Sequence, residues 1–238
     1  MKYAIIAAGE GSRLAAEGIT APKPLVQVNG ECLIDRLIRI FMTNDAEEIV
    51  CICNDQTAQV AAHLYRIQRD GLKGQPVPLR FIVKSTPSSM HSFFEISQYL
   101  QEGPFVLTTV DTIFREDDFT NYMTAFRQCQ KASLMGVTSF VDDEKPLYVT
   151  TDKQMNVTAF LDTKPEIPAY VSAGIYGLQP SAVFTVANCI ARSEQRMRNF
   201  QRALLMEGKP VKAWLFDKVL DVDHASDIQK AEAFLNGL

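Results

Sequence analysis

The sequence predicts an α/β protein, with a doubly wound, mostly parallel sheet and a small antiparallel insertion late in the chain. Three observations carry this. Apolar, β-rich runs alternate with longer amphipathic segments up to about residue 130. The runs are continuous rather than alternating, the pattern of strands covered on both faces. After about residue 139 the rhythm changes to short, closely spaced strands.

In order, YAIIA (3–7), EIVCIC (48–53), LRFIV (79–83) and PFVLTTV (104–110) read as buried strands. Helical patterns lie between and after them at about 31–43, 55–68, 91–101 and 116–129. This βαβα order argues for a doubly wound sheet. PLYVTTD (146–152) and MNVTAFLD (155–162) flank the turn signal DKQ and read as an antiparallel hairpin. YVSAGIYGL (170–178) and VKAWLF (211–216) are further strands. Helices are expected at about 180–190, 193–207 and 225–235. The whole chain, 1–238, reads as one domain with 139–178 as a subregion, and 139–169 is the expected insertion or lid. A chain of this length buries roughly 70–75% of its unfolded surface, enough for one large core.

Bulk properties exclude several classes. The net charge is −4 with no basic run, so a nucleic-acid partner is not expected. No stretch of 18 apolar residues exists, so no membrane span is expected. The start MKYAIIAAGEGSR imitates a leader for about eight residues, but the glycine loop cuts the run short. Five cysteines stand at 32, 51, 53, 129 and 189. Cys51 and Cys53 share one face of a strand and no second pair completes a zinc site. Buried reduced thiols in a cytoplasmic protein are the expectation.

The chemistry begins at AAGEGSRL (7–14), a G-x-G loop after a strand, followed by APKPL (21–25). A dinucleotide fingerprint needs a third glycine where Leu14 stands, and a P-loop needs a Gly-Lys pair that is absent. What remains is a loop at Ala8, Gly9 and Gly11 whose backbone N–H groups can approach phosphate oxygens, with Arg13 offering a planar fork. A plain turn is the competing reading of the glycines. Pro22 and Pro24 stiffen the chain around Lys23, which suits an ammonium that grips a charged group.

Strand, G-x-G-S-R-L, a short spacer and P-K-P-L together resemble the signature of the nucleotidyltransferases that make nucleotide-sugars. VQVNGECLIDRLIRIF (26–41) is similar to that family's short strand, Asn-Gly turn and helix. The resemblance implies a Rossmann-like fold of the nucleotide-diphospho-sugar transferase type, spanning residues 1 to about 235. It implies transfer of a nucleotidyl group from an NTP to a sugar-1-phosphate, with Lys23 and Arg13 catalytic and pyrophosphate released.

In KSTPSSMHSFFEI (84–96) it places Ser88 and Ser89 at the nucleotide base. Ser88, Ser89 or Ser92 suits the cap of the following helix, Ser92-x-x-Glu95 would make a capping box, and His91 reads either as a ligand contact or as a structural histidine. It implies Mg²⁺ held by Asp111, at the strand end within PFVLTTVDTIF (104–114) with Val110 in place of the usual glycine, and by Asp223 in VLDVDHASDIQKAEAF (219–234). Asp221 shares a face with Asp223 if that piece is extended.

For the sugar phosphate it implies Lys164, Gly174 and Tyr176, while Asp162 and Ser172 depart from the usual Glu and Asn. It also implies self-association. Three other readings stay open: a non-sugar phosphomonoester such as choline phosphate as acceptor, a non-catalytic nucleotide-sugar sensor, and a dinucleotide-dependent oxidoreductase, which Leu14 opposes.

Overall fold

Continuous apolar strands need cover on both faces, and the order of elements supplies it. The computed structural model describes residues 1–141 and 145–237. The first half runs β1 (Lys2–Ala7), α1 (Ser12–Ala16), β2 (Gln27–Val28), β3 (Glu31–Cys32), α2 (Leu33–Thr43), β4 (Glu48–Cys53), α3 (Ala58–Asp70), β5 (Leu79–Val83), α4 (Ser89–Ser97), β6 (Phe105–Thr109), β7 (Thr112–Ile113) and α5 (Glu116–Gln128). The second half runs β8 (Ser133–Thr138), β9 (Tyr148–Thr151), β10 (Val157–Leu161), β11 (Tyr170–Leu178), α6 (Ala182–Ala191), α7 (Met197–Met206), β12 (Val211–Phe216), β13 (Leu220–Asp221) and α8 (Ala225–Leu235).

A nine-stranded sheet has the path β10-β9-β11-β6-β1-β4-β5, with β8 bonded to β11 and β12 to β8. β1 is parallel to β4 and β6, and β4 to β5. Alternate residues of β1 serve two cores: Tyr3, Ile5 and Ala7 face one, Ala4 and Ile6 the other. Cys51 and Cys53 share the first core, as the strand period requires. The first core also takes the apolar stripe of α2 and the aromatics of α5, with Tyr3 stacked on Phe41 at 4.5 Å between centroids. The second takes α4, α6 and α7. Glu116, Asp117 and Asp118 in the first turn of α5 suit the positive end of its dipole.

The antiparallel part is centred on β11. Its C-terminal end pairs with β6 and its N-terminal end with β9, while β8 lies along the other edge. The expected hairpin of β9 and β10 forms. Strand β8 was not foreseen: all six residues of SLMGVT are buried, so no alternation marks it, and its Ser and Gly weaken the β signal. Among the described residues no helix is long and apolar enough to cross a membrane.

Gly177 in β11 leaves room for the α5 aromatics. A Cβ there would lie 2.7 Å from Phe126 Cδ2 and from the Tyr122 hydroxyl, which donates to the Leu134 carbonyl. Gly177→Ala is therefore expected to destabilise the protein by about 1–3 kcal/mol. Urea unfolding, read as a lower midpoint at unchanged slope, checks this.

Candidate active site

The strand order places a crevice where the chain first needs one. From β1 the chain winds outward through β4 and β5, then returns to lay β6 on the other side of β1. Ligands of open α/β sheets lie beyond the carboxyl ends of strands at such a reversal. The glycine loop leaves β1 there, and Asp111 follows β6 there.

Gly11 sits at φ 64°, and a Cβ would lie 3.0 Å from Lys23 Cβ. The glycine is thus required both by its backbone and by the close passage of the lysine. Pro22 leads into a short 3₁₀ turn, Lys23–Leu25, in which the Leu25 N–H donates to the Pro22 carbonyl at 2.7 Å. Behind the loop, the buried Asn54 side chain donates to the Gly9 carbonyl at 3.2 Å. The sequence reading missed Asn54, which looks like any strand-end asparagine until the loop is seen against it.

Two aspartates meet on this lysine. Lys23 Nζ donates to Asp111 Oδ2 and, at 2.6 Å, to Asp223 Oδ1. Arg13 donates to the other Asp223 oxygen at 2.8 Å. The convergence is built by a small ladder: β13 pairs antiparallel with β7, and the Val222 N–H donates to the Asp111 carbonyl at 3.1 Å. Val110 needs no glycine-like backbone, since its φ is not positive. The Lys23 side chain is 10% exposed. Burial works against its ammonium, but Asp111 and Asp223 outweigh it and hold the pKa above the ordinary lysine value. Burial likewise opposes the Asp111 carboxylate, and the Lys23 charge and hydrogen bond hold its pKa below the ordinary value.

Two clefts open on Asp111. One, of about 610 Å³, is lined by Ala8, Gly9, Gly11, Lys23, Ser88, Ser89 and Asp111 among others, so it gathers the residues expected at a nucleotide. The expected capping box of Ser92 and Glu95 does not form. Helix α4 begins at Ser89 with Ser88 in the N-cap position, and Ser92 is buried within it with its hydroxyl 2.6 Å from that of Thr86. His91 Nδ1 lies 2.9 Å from the Ser88 hydroxyl.

The second cleft, of about 280 Å³, shares Ser89, Thr109 and Asp111 with the first and adds Ser172, Gly174, Tyr176, Arg196, Gln201 and Asp221 to its wall. Gly174 has φ 70°, and a Cβ would lie 3.0 Å from Thr112 Oγ1. Tyr176 is buried, and burial pushes its phenol well above the ordinary value. Ser172 donates to Gln201 at 3.1 Å. Lys164 is exposed and lines neither cleft. Asp162 is held by Arg198 at 2.5 Å and Arg202 at 2.8 Å. Arg196 and Gln201 were not foreseen, because they lie in a segment that reads as an ordinary polar helix.

Replacing Lys23 by Met would leave two carboxylates facing each other. The expected loss at pH 7 is about 3 kcal/mol, the low end for a broken buried pair because Asp223 is 38% exposed. The sign with pH follows from Asp111. In the native protein its pairing stabilises above the unfolded carboxylate range and is lost as pH falls through its lower folded value. In Lys23→Met the lowering charge and hydrogen bond of Lys23 are gone. Burial, the largest influence, is then opposed only by the hydrogen bonds of Thr109 and the backbone, so the carboxyl rises and the variant gains stability as it protonates. The deficit should therefore shrink between pH 7 and about pH 4. Equal deficits at both pH values, by urea unfolding, would rule out this charge account.

The family model for nucleotidyl transferases matches residues 2–237. The bifunctional protein GlmU of Methanococcus maripaludis is 25% identical over 99% of this chain and 55% of that protein, so the chain spans about half the length of that relative. Among solved structures, a Bacillus anthracis protein described as a glucose-1-phosphate thymidylyltransferase superposes with TM-score 0.82 at 20% identity, covering 100% of this chain and 96% of that one. The inositol-1-phosphate CTP transferase of T. maritima gives 0.77 at 18% identity, over 99% and 96%. The CTP:phosphocholine cytidylyltransferase of Streptococcus pneumoniae gives 0.76 at 18%, over 98% of both chains. With the glycine loop, Lys23 and two distant aspartates gathered at the sheet's reversal point, and a family model that spans almost every residue, the chain belongs to the nucleotidyl transferase family.

Proposed function

We propose that this protein transfers a nucleotidyl group from an NTP to a phosphomonoester, with a sugar-1-phosphate as the first candidate. The observation that carries this reading is the junction of two clefts at Asp111, beside Lys23, Asp223 and Arg13. A phosphate oxygen of the acceptor attacks the α-phosphorus in line. The new P–O bond forms as the bond to the pyrophosphate oxygen breaks, and pyrophosphate leaves with that electron pair. No side-chain nucleophile is needed, so placement and charge neutralisation do the catalysis.

Arg13 and the amides of the 8–11 loop hold the triphosphate. Lys23 neutralises charge that moves between the reacting phosphates. Asp111 and Asp223 are the residues that would hold Mg²⁺. Among the described residues no group of three or more His, Cys, Asp or Glu forms a metal cage. Two carboxylates aimed at one cation suit Mg²⁺ instead, since that ion takes one or two carboxylates and completes its shell with phosphate oxygens and water. When bound it supplies Lewis-acid stabilisation of the phosphates.

On the acceptor side Arg196 is the cation best placed for a phosphate. It lines the smaller cleft in a backbone conformation, φ 71° and ψ 141°, that non-glycine residues rarely hold. Such strain of about 1–3 kcal/mol persists where the surroundings impose it, and it clusters at functional sites. A second reading, a non-sugar phosphomonoester, is favoured by Asp162 being locked in ion pairs and Ser172 being engaged with Gln201. The retained lysine and carboxylates oppose a non-catalytic sensor.

Pyrophosphate release, measured with Mg²⁺, each NTP in turn and a panel of sugar and non-sugar phosphomonoesters, identifies the pair of substrates. Asp111→Asn should lower turnover by about 100- to 1,000-fold with the fold retained. Arg196→Ala should raise the acceptor KM by about tenfold or more and leave the NTP KM unchanged. Normal turnover in Asp111→Asn would refute the assigned role.

A further inference from the structure

Arg13 stands on a helix too short to hold itself. α1 has five residues, and an isolated turn of helix is marginal in water. Leu14 anchors one side in the core. The other side is fixed by Glu17, at the C-terminal end of α1 and one turn beyond Arg13, so the two side chains share a face. The Glu17 carboxylate lies 2.6 Å from His224 Nδ1 and accepts the Ala225 N–H, also at 2.6 Å. These are contacts across 207 and 208 residues, and both fall at the start of α8, directly after Asp223.

That end of α8 is itself tied by side chains. Asp227 accepts the N–H of His224 at 2.8 Å and of Asp223 at 3.2 Å, and Lys230 holds Asp227 at 3.0 Å. So α1 meets the Asp223 segment at two points one turn apart, Arg13 on Asp223 and Glu17 on the first turn of α8. Two points fix an angle as well as a distance. The first must loosen when a triphosphate draws Arg13 away. The second does not involve Arg13, and its His224 nitrogen and Ala225 N–H are already occupied by the Glu17 carboxylate, so it holds α1 in place while Arg13 changes partner.

We infer that Glu17 is a positioning residue that sets the place of Arg13 for the triphosphate by clasping the start of α8; this rests on the nucleotidyl-transfer reading of the site. Two measurements test it, binding of inorganic tripolyphosphate by calorimetry and steady-state kinetics with the NTP and acceptor that the wild type turns over. Glu17→Ala should weaken tripolyphosphate and raise the NTP KM by about ten- to a hundredfold, the scale of a small misplacement, with acceptor KM unchanged. Glu17→Gln should recover much of the loss, because its carbonyl still accepts the Ala225 N–H. In an Arg13→Ala background Glu17→Ala should add less than about threefold, since residues acting through one another are not additive.

Unchanged tripolyphosphate binding in Glu17→Ala, or full additivity with Arg13→Ala, overturns the inference. If Glu17→Ala does not fold, His224→Ala removes the other half of the clasp and is read the same way. A wild type that binds tripolyphosphate but releases pyrophosphate with no NTP and acceptor refutes the transfer reading and leaves the clasp standing. Unchanged binding in Glu17→Ala with normal wild-type turnover does the reverse.

Discussion

A lysine with a tenth of its side chain exposed stays charged only if anions face it, and the functional half of this molecule is arranged around meeting that need at Lys23. The anions come from positions 88 and 200 residues further along the chain. Neither can be delivered by local structure. Asp111 arrives because β6 returns to the side of β1, and Asp223 because β13 pairs with β7 in a fixed register. Gly11 then lets the lysine backbone approach the loop closely enough for one ammonium to reach both.

The same register explains why two clefts share a wall. Strand β11 runs antiparallel to β6 and hands its edge over to β9 near its N-terminal end. The handover coincides with an irregularity in the pairing to β8 between Ser172 and Tyr176, and Gly174 lies inside it with a positive φ. The chain bends there, and the side chains on either side of the bend, Ser172 and Tyr176, line the smaller cleft. The larger cleft belongs to the parallel half of the sheet and the smaller to the antiparallel half. Reactants bound in each would meet over Ser89, Thr109 and Asp111, the residues common to both.

What the sequence made legible was what its local pattern encodes. The G-x-G-S-R-L and P-K-P pieces are short, and their glycines and prolines have few other uses at that spacing. The parallel strands announced themselves as continuous apolar runs. β8 did not, because a fully buried strand with Ser, Gly and Thr in it has neither alternation nor strong β propensity. Three serines suit the start of α4; Ser88 takes the N-cap position, whereas Ser92, despite its capping-box spacing, bonds to Thr86 inside the core. Asn54, Arg196 and Glu17 were invisible for another reason. Each has an ordinary residue type for its place, and its partner is 45 or more residues away. Lys164 carried its expectation from the resemblance alone, and an exposed loop position gives it no cleft to serve.

The ligand-free charges suggest how the site receives its substrates. Arg13 and Lys23 balance Asp111 and Asp223, so the four groups sum to zero. A bare triphosphate would gain the two cations but face two carboxylates at close range. A bare divalent ion would gain the carboxylates but face the Lys23 ammonium between them. Each alone therefore meets a repulsion comparable to its attraction in a partly desolvated space, where such terms are large. On the proposed reading the two together would divide the network, with the carboxylates holding the metal and Arg13 and Lys23 facing the phosphates. A neutral, self-paired cluster would thus favour a metal–nucleotide complex over either component. Asn54 behind the glycine loop and Glu17 behind Arg13 stand outside that exchange, and their contacts would keep the backbone in place while the charges change partners.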